Sequence, residues 1–198
     1  MRRLLAFVAL AVISTPLAAQ KNGVLSGEGA GPVGVHRFAW LLDGTFEFGG
    51  DELLEITFTD GSKQTIYAGQ VGTGNVGVEF RGQRLGLRAT AGFKFTSTAA
   101  DNANIMFTRV PLRATVNYYP NPDWRVAAGP VMHTAVEFDG DGFTPNVTFD
   151  NAVGFTAEVG WRWLSATYTS LSYSVDGGSS INASAIGVGF TGVFGKRY

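Results

Sequence analysis

Along most of the chain, large apolar residues alternate one by one with polar or small residues. From residue 85 to residue 95, the apolar positions are Leu85, Leu87, Ala89, Ala91, Phe93 and Phe95. The positions between them carry arginine, glycine, threonine and lysine. A period of two is typical of a β-strand whose two faces meet different surroundings. The same alternation predicts approximate strands at 70–81, 84–96, 106–119, 123–138, 150–163, 165–175 and 182–198.

The connections between these strands alternate between short and long. The connections at 80–84, 119–123 and 162–165 are short, whereas those at 97–105 and 139–149 are longer and polar. Membrane barrels have short turns at one end and longer loops at the other. The alternation therefore favours an all-β, antiparallel, up-and-down barrel over a β-sandwich.

The character of the two strand faces predicts which one points outward. The apolar face is nearly free of charge, as lipid requires. The other face carries glycine, threonine and charges of both signs, which fits a narrow barrel interior. We expect two aromatic girdles at the membrane interfaces. They are Phe80, Tyr118, Trp124, Trp161, Trp163 and Tyr198 near the short turns, and Phe95, Phe107, Phe138 and Tyr173 near the long loops.

An even strand number requires an eighth strand before residue 70, and two interpretations compete. In the favoured one, residues 46–59 form the strand and Asp60 and Gly61 form its hairpin turn. It is favoured because, in one continuous strand, every second residue lies on the same face, and this face would carry Phe46, Phe48, Leu54, Ile56 and Phe58. In the other, residues 35–48 form the strand and residues 51–70 form an external hairpin. Both give a transmembrane barrel of eight strands.

The N-terminus has the layout of a secretory signal peptide. Arg2 and Arg3 precede an apolar run at 4–13, and small residues lead to a predicted cleavage site after Ala19. We therefore predict a signal peptide at 1–19, a flexible glycine-rich segment at 20–34 and the barrel at 35–198.

Composition narrows the possible functions. The 198-residue chain has no cysteine, which excludes disulfides, a thiolate nucleophile and cysteine-based metal sites. Its net charge of −1 gives no reason to expect nucleic acid as a partner. Only 16% of its residues are charged, against about 25% in soluble domains.

The interior of a barrel of eight strands is just wide enough for side chains to fill. The charges expected to line it are Glu79, Arg88, Lys94, Arg113, Arg125, Glu137, Glu158 and Arg162. Because an unpaired charge is costly in a narrow, poorly hydrated space, we expect them to pair across the lumen. The alternative is a charged lining for the passage of a small solute or ion.

Candidate catalytic chemistry is sparse. His36 and His133 are the two histidines. The alternation predicts that His133 and Glu137 lie on the same face of their strand, the one that points into the lumen. A lipid-modifying barrel enzyme would need its catalytic group exposed to the outer leaflet instead. The acidic run at 139–142 has the spacing of the start of a calcium loop but lacks the downstream ligands. We therefore predict no enzymatic activity, no cofactor and no metal site.

The last strand alternates apolar residues and ends on an aromatic residue, with Phe190, Phe194 and Tyr198 on one parity. With the signal peptide, this pattern resembles the small OmpA/OmpX/OmpW-type barrels of Gram-negative bacteria over residues 45–198. Lys196 departs from it because it falls on the lipid-facing parity. The resemblance implies an outer-membrane location, and it implies that these three aromatic residues signal to the barrel-assembly machinery.

The function expected on this basis is a non-enzymatic, structural or porin-like role in the cell envelope. The expected partners are outer-membrane lipids, with the protein acting as a monomer. Two alternatives stay open from the residues. One is an outer-membrane lipid-modifying enzyme, and the other is a soluble, lipocalin-like periplasmic binder.

Overall fold

The computed structural model describes residues 38–57, 61, 63–100, 103–142, 144–174 and 180–195. Within these ranges the chain forms β-strands joined by turns and loops. The strands are β1 (Ala39–Gly49), β2 (Glu52–Thr57), β3 (Lys63–Tyr67), β4 (Val71–Arg81), β5 (Leu85–Ala100), β6 (Ala103–Tyr118), β7 (Trp124–Asp139), β8 (Val147–Phe149), β9 (Ala152–Trp161), β10 (Leu164–Ser170), β11 (Ser172–Tyr173), β12 (Ile181–Asn182) and β13 (Ala185–Phe194).

Eight of these strands close into one antiparallel barrel. Their order around the barrel is β6, β5, β4, β1, β13, β10, β9 and β7, and β7 pairs with β6 again. The closure joins the first barrel strand to the last, with Gly44 opposite Phe190. The prediction of an all-β, eight-stranded, up-and-down barrel is confirmed. No helix in the described residues is long and apolar enough to cross a membrane.

The favoured interpretation of the first strand is wrong, and the second is correct. The barrel strand is β1, and it ends at Gly49. Gly49 and Gly50 adopt φ angles of 132° and 83°, which side chains other than glycine rarely adopt, so the backbone leaves the barrel there. The alternation on either side of this bend therefore belongs to two separate elements.

Beyond this bend, β2 and β3 form a separate two-stranded hairpin. Lys63 donates a hydrogen bond of 2.6 Å to Glu55 across it. Accepting this bond, the Glu55 carboxylate raises the pKa of Lys63 above its ordinary value. Asp60, expected in a hairpin turn, lies outside the described residues.

Close approach of neighbouring strands inside the barrel depends on small residues. A Cβ added at Gly187 would lie 2.6 Å from the carbonyl oxygen of Phe46 and 2.7 Å from Cγ of Glu47. Both distances are shorter than van der Waals contact. Glycine at this inward position lets the Glu47 side chain occupy the lumen beside β13.

A β-bulge in β7 exchanges its inward and outward faces. Val131 and His133 are buried on the inward face, and Ala135 then has a φ of 47°. The pairing with β6 shifts at this point, as expected when one strand carries an extra residue. After the bulge, Val136 and Phe138 point inward. A strict period of two cannot anticipate this exchange.

The long-loop end of the barrel is filled by an apolar cluster. It contains Ile66, Ala68, Ile105, Phe107, Val131, Val136, Phe138, Phe149, Ala152, Leu171, Tyr173 and Ala183. The girdle predicted at this end is therefore wrong for three of its members. Phe107 shares the inward face of β6 with Arg109, the bulge turns Phe138 inward, and Tyr173 lies on the loop strand β11. Phe95 is exposed on the outer face as expected.

Candidate functional site

The barrel lumen gathers most of the buried charge of the described residues. The structure places five predicted charges in it: Glu79, Lys94, Arg125 and Glu158 are buried, and Arg88 is nearly so. Arg113, a sixth, lines two lumen cavities. Three further buried charges, Asp43, Glu47 and Arg109, were not predicted. Predicting Asp43 and Glu47 in the lumen depended on the choice of first strand. Arg109 could have been predicted there, because it occupies an inward-facing position in the alternation of β6.

Two predicted lumen charges lie elsewhere, and both expectations were wrong. Glu137 follows the bulge in β7 and is therefore exposed on the outer side of the strand. Arg162 lies in the turn between β9 and β10 with a φ of 54°. Its Nε donates a hydrogen bond of 3.1 Å to Oδ1 of Asp123, and both side chains are about half exposed.

At the short-turn end of the lumen, Glu79 binds two partners. Arg88 lies 2.8 Å from its Oε2 through a guanidinium nitrogen, and the Tyr119 hydroxyl donates to Oε1 at 2.5 Å. The Arg81 guanidinium stacks on the Tyr119 ring, 3.5 Å from its centroid. Glu79 is only 1% exposed, so these contacts replace the water that its carboxylate loses.

Two further contacts join neighbouring strands on the inner face of the barrel. Arg125 on β7 forms an ion pair with Glu158 on the neighbouring strand β9, and both side chains are buried. Asn75 on β4 donates a hydrogen bond of 2.5 Å to Asp43 on β1. These contacts fill the interior with paired polar groups, because buried polar groups are stable only when they are hydrogen-bonded.

Closer to the long loops, Glu47 on β1 contacts Lys94 on β5. Nζ of Lys94 lies 2.5 Å from Oε2, and the Thr169 hydroxyl donates to Oε1 at 3.1 Å. The side chains of Lys94 and Glu47 are 3% and 6% exposed. β4 lies between their strands in the sheet, so the pair ties together strands that do not pair directly.

Arg109 lies directly beneath the apolar cluster and is fully buried. Its guanidinium donates to the carbonyl oxygen of Ala68 and to the Tyr173 hydroxyl, the latter at 3.2 Å. It also stacks on Phe107, 4.0 Å from the ring centroid. Nδ1 of His133 shares a hydrogen bond of 2.6 Å with the same tyrosine hydroxyl. Tyr173 therefore joins the cluster at the loop end to the charged lumen below it.

Replacing Tyr173 by phenylalanine is expected to lower the free energy of unfolding by about 1–3 kcal/mol. The change leaves the packing intact but removes one acceptor from a buried guanidinium and one partner from His133. The matched control is Tyr168→Phe, because the Tyr168 side chain is exposed on the outer face. Equal effects in both variants, measured by urea unfolding of the folded barrel, would contradict this role for Tyr173.

Two cavities of about 10 Å³ each lie between the lumen side chains. The inner cavity lies towards the short turns, and its lining includes Asp43, Arg88, Thr90 and Glu158. The outer cavity lies towards the long loops, and its lining includes Glu47, Thr73, Lys94, His133 and Thr169. Arg113 lines both. A cavity of this size holds about one water molecule, so neither one accommodates an organic solute.

The lumen offers little for catalysis or metal binding. His133 is 2% exposed and faces the interior, away from the outer surface where a lipid would lie. In the described residues, no group of three or more histidine, aspartate or glutamate side chains is placed to hold a metal ion. His36 lies outside the described residues.

No protein-family model matches the chain, and no curated protein matches it. Among solved structures, the chain is similar to Ail, the attachment invasion locus protein of Yersinia pestis. The identity is 8%, covering 81% of this chain and 99% of that chain, with a TM-score of 0.43. For a structure of Ail in complex with the heparin analogue sucrose octasulfate, the identity is 10%, covering 78% of this chain and 97% of that chain, with a TM-score of 0.41. For Neisserial surface protein A, the identity is 9%, covering 79% of this chain and 98% of that chain, with a TM-score of 0.40. At such low identities, what the chain does has to be inferred from its own residues.

Proposed function

We propose that the chain is a non-enzymatic, monomeric outer-membrane β-barrel with a structural role in the envelope and a lumen closed to solutes. The observation that carries the proposal is the inversion of its two surfaces. The inside of the barrel holds buried charges, most of them in ion pairs, and the outside holds large apolar side chains. A soluble barrel has the opposite arrangement.

The outer surface supports insertion into a bilayer. Its exposed apolar side chains come from every barrel strand and include Leu42, Phe46, Val76, Leu87, Phe93, Val116, Val126, Val153, Val159, Tyr168, Ile186 and Val188. Soluble monomers rarely expose a continuous apolar surface of this extent. In a bilayer the same surface faces hydrocarbon, and outer-membrane lipids are its proposed partners.

Aromatic residues mark one edge of this surface. Near the short turns, the exposed side chains are Phe80, Tyr118, Trp124, Trp161 and Trp163. Tyrosine and tryptophan favour the interface between hydrocarbon and headgroups, where the ring is apolar and its polar atom stays hydrated. Their position supports placing the short turns at the periplasmic interface and the long loops outside the cell.

The last strand supports assembly by the machinery that inserts outer-membrane barrels. Phe190 and Phe194 point outward from β13 and are 42% and 46% exposed. An insertion factor can therefore reach them on the outer side of the strand. Tyr198, the third member of the predicted signal, lies outside the described residues. Export by the predicted signal peptide remains part of this proposal.

The filled lumen favours a structural role over solute passage. Buried ion pairs occupy it near the short turns and towards the long loops, the apolar cluster occupies its loop end, and each cavity has room for about one water molecule. Moving an ion through it would require breaking buried pairs. A lipocalin-like binder would need a cavity of ligand size at the same place.

In planar lipid bilayers, the purified protein is expected to give no stepwise conductance in potassium chloride. The reason is that side chains occupy the cross-section of the lumen at several levels. Insertion is checked on vesicles prepared in parallel, where the unheated protein should migrate differently from the boiled protein in electrophoresis. Reproducible single-channel steps from protein that shows this shift would overturn the structural proposal in favour of a porin-like role.

A further inference from the structure

The loop-side half of the lumen holds more positive than negative charge. Lys94, Arg109 and Arg113 lie there within the described residues, and Glu47 is the carboxylate that faces them. Glu47 forms an ion pair with Lys94, whereas neither arginine forms an ion pair in the part of the chain that the structure describes. An uncompensated buried charge is strongly unfavourable.

Unused hydrogen-bond donors accompany this excess charge. Nε and Nη2 of Arg109 are buried without a hydrogen-bond partner. The Thr73 hydroxyl, which lines the outer cavity, is also buried and unpartnered, and Thr73 is only 8% exposed. A guanidinium nitrogen can only donate, and a threonine hydroxyl can donate to any acceptor placed beside it. Of these donors, the Thr73 hydroxyl lines the outer cavity, so an acceptor placed there would use it, and a negatively charged one would also offset the excess charge.

The inner cavity provides an internal comparison. It has nearly the same volume, but its lining contains two carboxylates, Asp43 and Glu158, and two guanidiniums, Arg88 and Arg113. Arg88 and Glu158 pair with Glu79 and Arg125, so Asp43 is left there to balance Arg113, which lines both cavities. In the outer cavity Lys94 pairs with Glu47, and the cation left over at that end is Arg109, which lies opposite Lys94 in the register of β5 and β6.

We propose that the outer cavity binds one monoatomic anion, chloride or bromide, between Lys94, Arg113 and Thr73. The anion offsets part of the positive charge in the loop-side half of the lumen and accepts a hydrogen bond from the Thr73 hydroxyl. The cavity of about 10 Å³ admits a species close to water in size and excludes sulfate, phosphate and carboxylates. The site depends on the barrel interior alone and does not rest on the proposed membrane role.

Thermal unfolding of the full-length barrel in detergent, in sodium chloride or sodium gluconate at equal ionic strength, tests the site. A ligand that binds only the folded state stabilises it as its concentration rises above the dissociation constant. We expect the unfolding midpoint to rise by about 2–6 °C between low and high chloride. Bromide should act like chloride, and gluconate and sulfate should have no such effect. Equal midpoints in chloride and gluconate would overturn the proposal.

Two matched variants separate the site from a general salt effect. Thr73→Val removes the hydroxyl that lines the outer cavity, and Thr90→Val removes the equally unpartnered hydroxyl that lines the inner one. Because the hydroxyl donates a hydrogen bond to the charged ion, Thr73→Val should raise the half-saturating chloride concentration about tenfold or more. Thr90→Val should leave it unchanged. An equal response of both variants, in either direction, would contradict an anion in the outer cavity.

Discussion

Replacing Glu79 by glutamine is expected to lower the free energy of unfolding by about 3–5 kcal/mol. The side chain is 1% exposed, and its two oxygens accept from Arg88 and from the Tyr119 hydroxyl. Glutamine has nearly the same shape, so the packing survives, but the Arg88 guanidinium loses its negative partner in a poorly hydrated space. The measurement is reversible urea unfolding of the barrel in phospholipid vesicles, followed by tryptophan fluorescence.

Two controls identify the cause of this loss. Asp123→Asn breaks the ion pair with Arg162, whose side chains are about half exposed, and should cost at most about 1 kcal/mol. Joint replacement of Glu79 by leucine and Arg88 by methionine removes both buried charges and should restore most of the lost stability. If Glu79→Gln proved as mild as Asp123→Asn, the lumen would be well hydrated and the pairing would not explain the stability of the barrel.

Replacing Val76 by arginine is expected to lower the free energy of unfolding in vesicles by about 2–4 kcal/mol. Val76 lies at the middle of β4, between Leu42 and Ala91 on the neighbouring strands, and its side chain is 62% exposed. In water, such an exposed substitution changes stability by about 0.5 kcal/mol or less. In a bilayer the arginine must enter hydrocarbon near its centre, so this variant distinguishes the two environments.

The matched control for the lipid-facing position is Gln64→Arg. Gln64 is exposed on β3, in the hairpin beyond the barrel, where the new charge stays in water. It should leave the unfolding curve unchanged. If Val76→Arg had no more effect than Gln64→Arg, the outer surface of β4 would be facing water, and the membrane proposal would lose its main support.

The alternation of apolar and polar residues predicted most of the fold. In β5, Leu85 to Phe95 keep a strict period of two, because the strand runs without a bulge between two different environments. The residue types then distinguish the two faces, because glycine and threonine are common on the inner face, and valine and phenylalanine are common on the outer face. The burial of Lys94 and Glu158 follows from the same parity.

Backbone irregularities account for the errors. Gly49 and Gly50 end β1 with positive φ angles. The apolar residues at alternate positions before and after this bend therefore belong to two different strands. Ala135 carries the bulge that exposes Glu137 and turns Phe138 inward. A one-residue offset moves every later side chain to the opposite face. Glycine is a recognisable signal for the first case, whereas alanine gives none for the second.

Contacts between strands that do not pair directly could not be deduced from the sequence. Lys94 meets Glu47 although a third strand lies between theirs, and Arg109 meets Tyr173 from a loop strand. Such contacts depend on the curvature and tilt of the closed barrel rather than on spacing along the chain. The sequence therefore indicated which charges could enter the lumen, and the three-dimensional structure was needed to identify the partners of Lys94 and Arg109.

The most direct test of the central claim is electrophoresis, with and without boiling, of protein extracted by detergent from the outer-membrane fraction of cells that express the full chain. A closed barrel that spans this membrane should be recovered there, and the unheated sample should migrate differently from the boiled one. Recovery of the protein in the osmotic-shock fluid without detergent, with no difference in mobility on boiling, would contradict it.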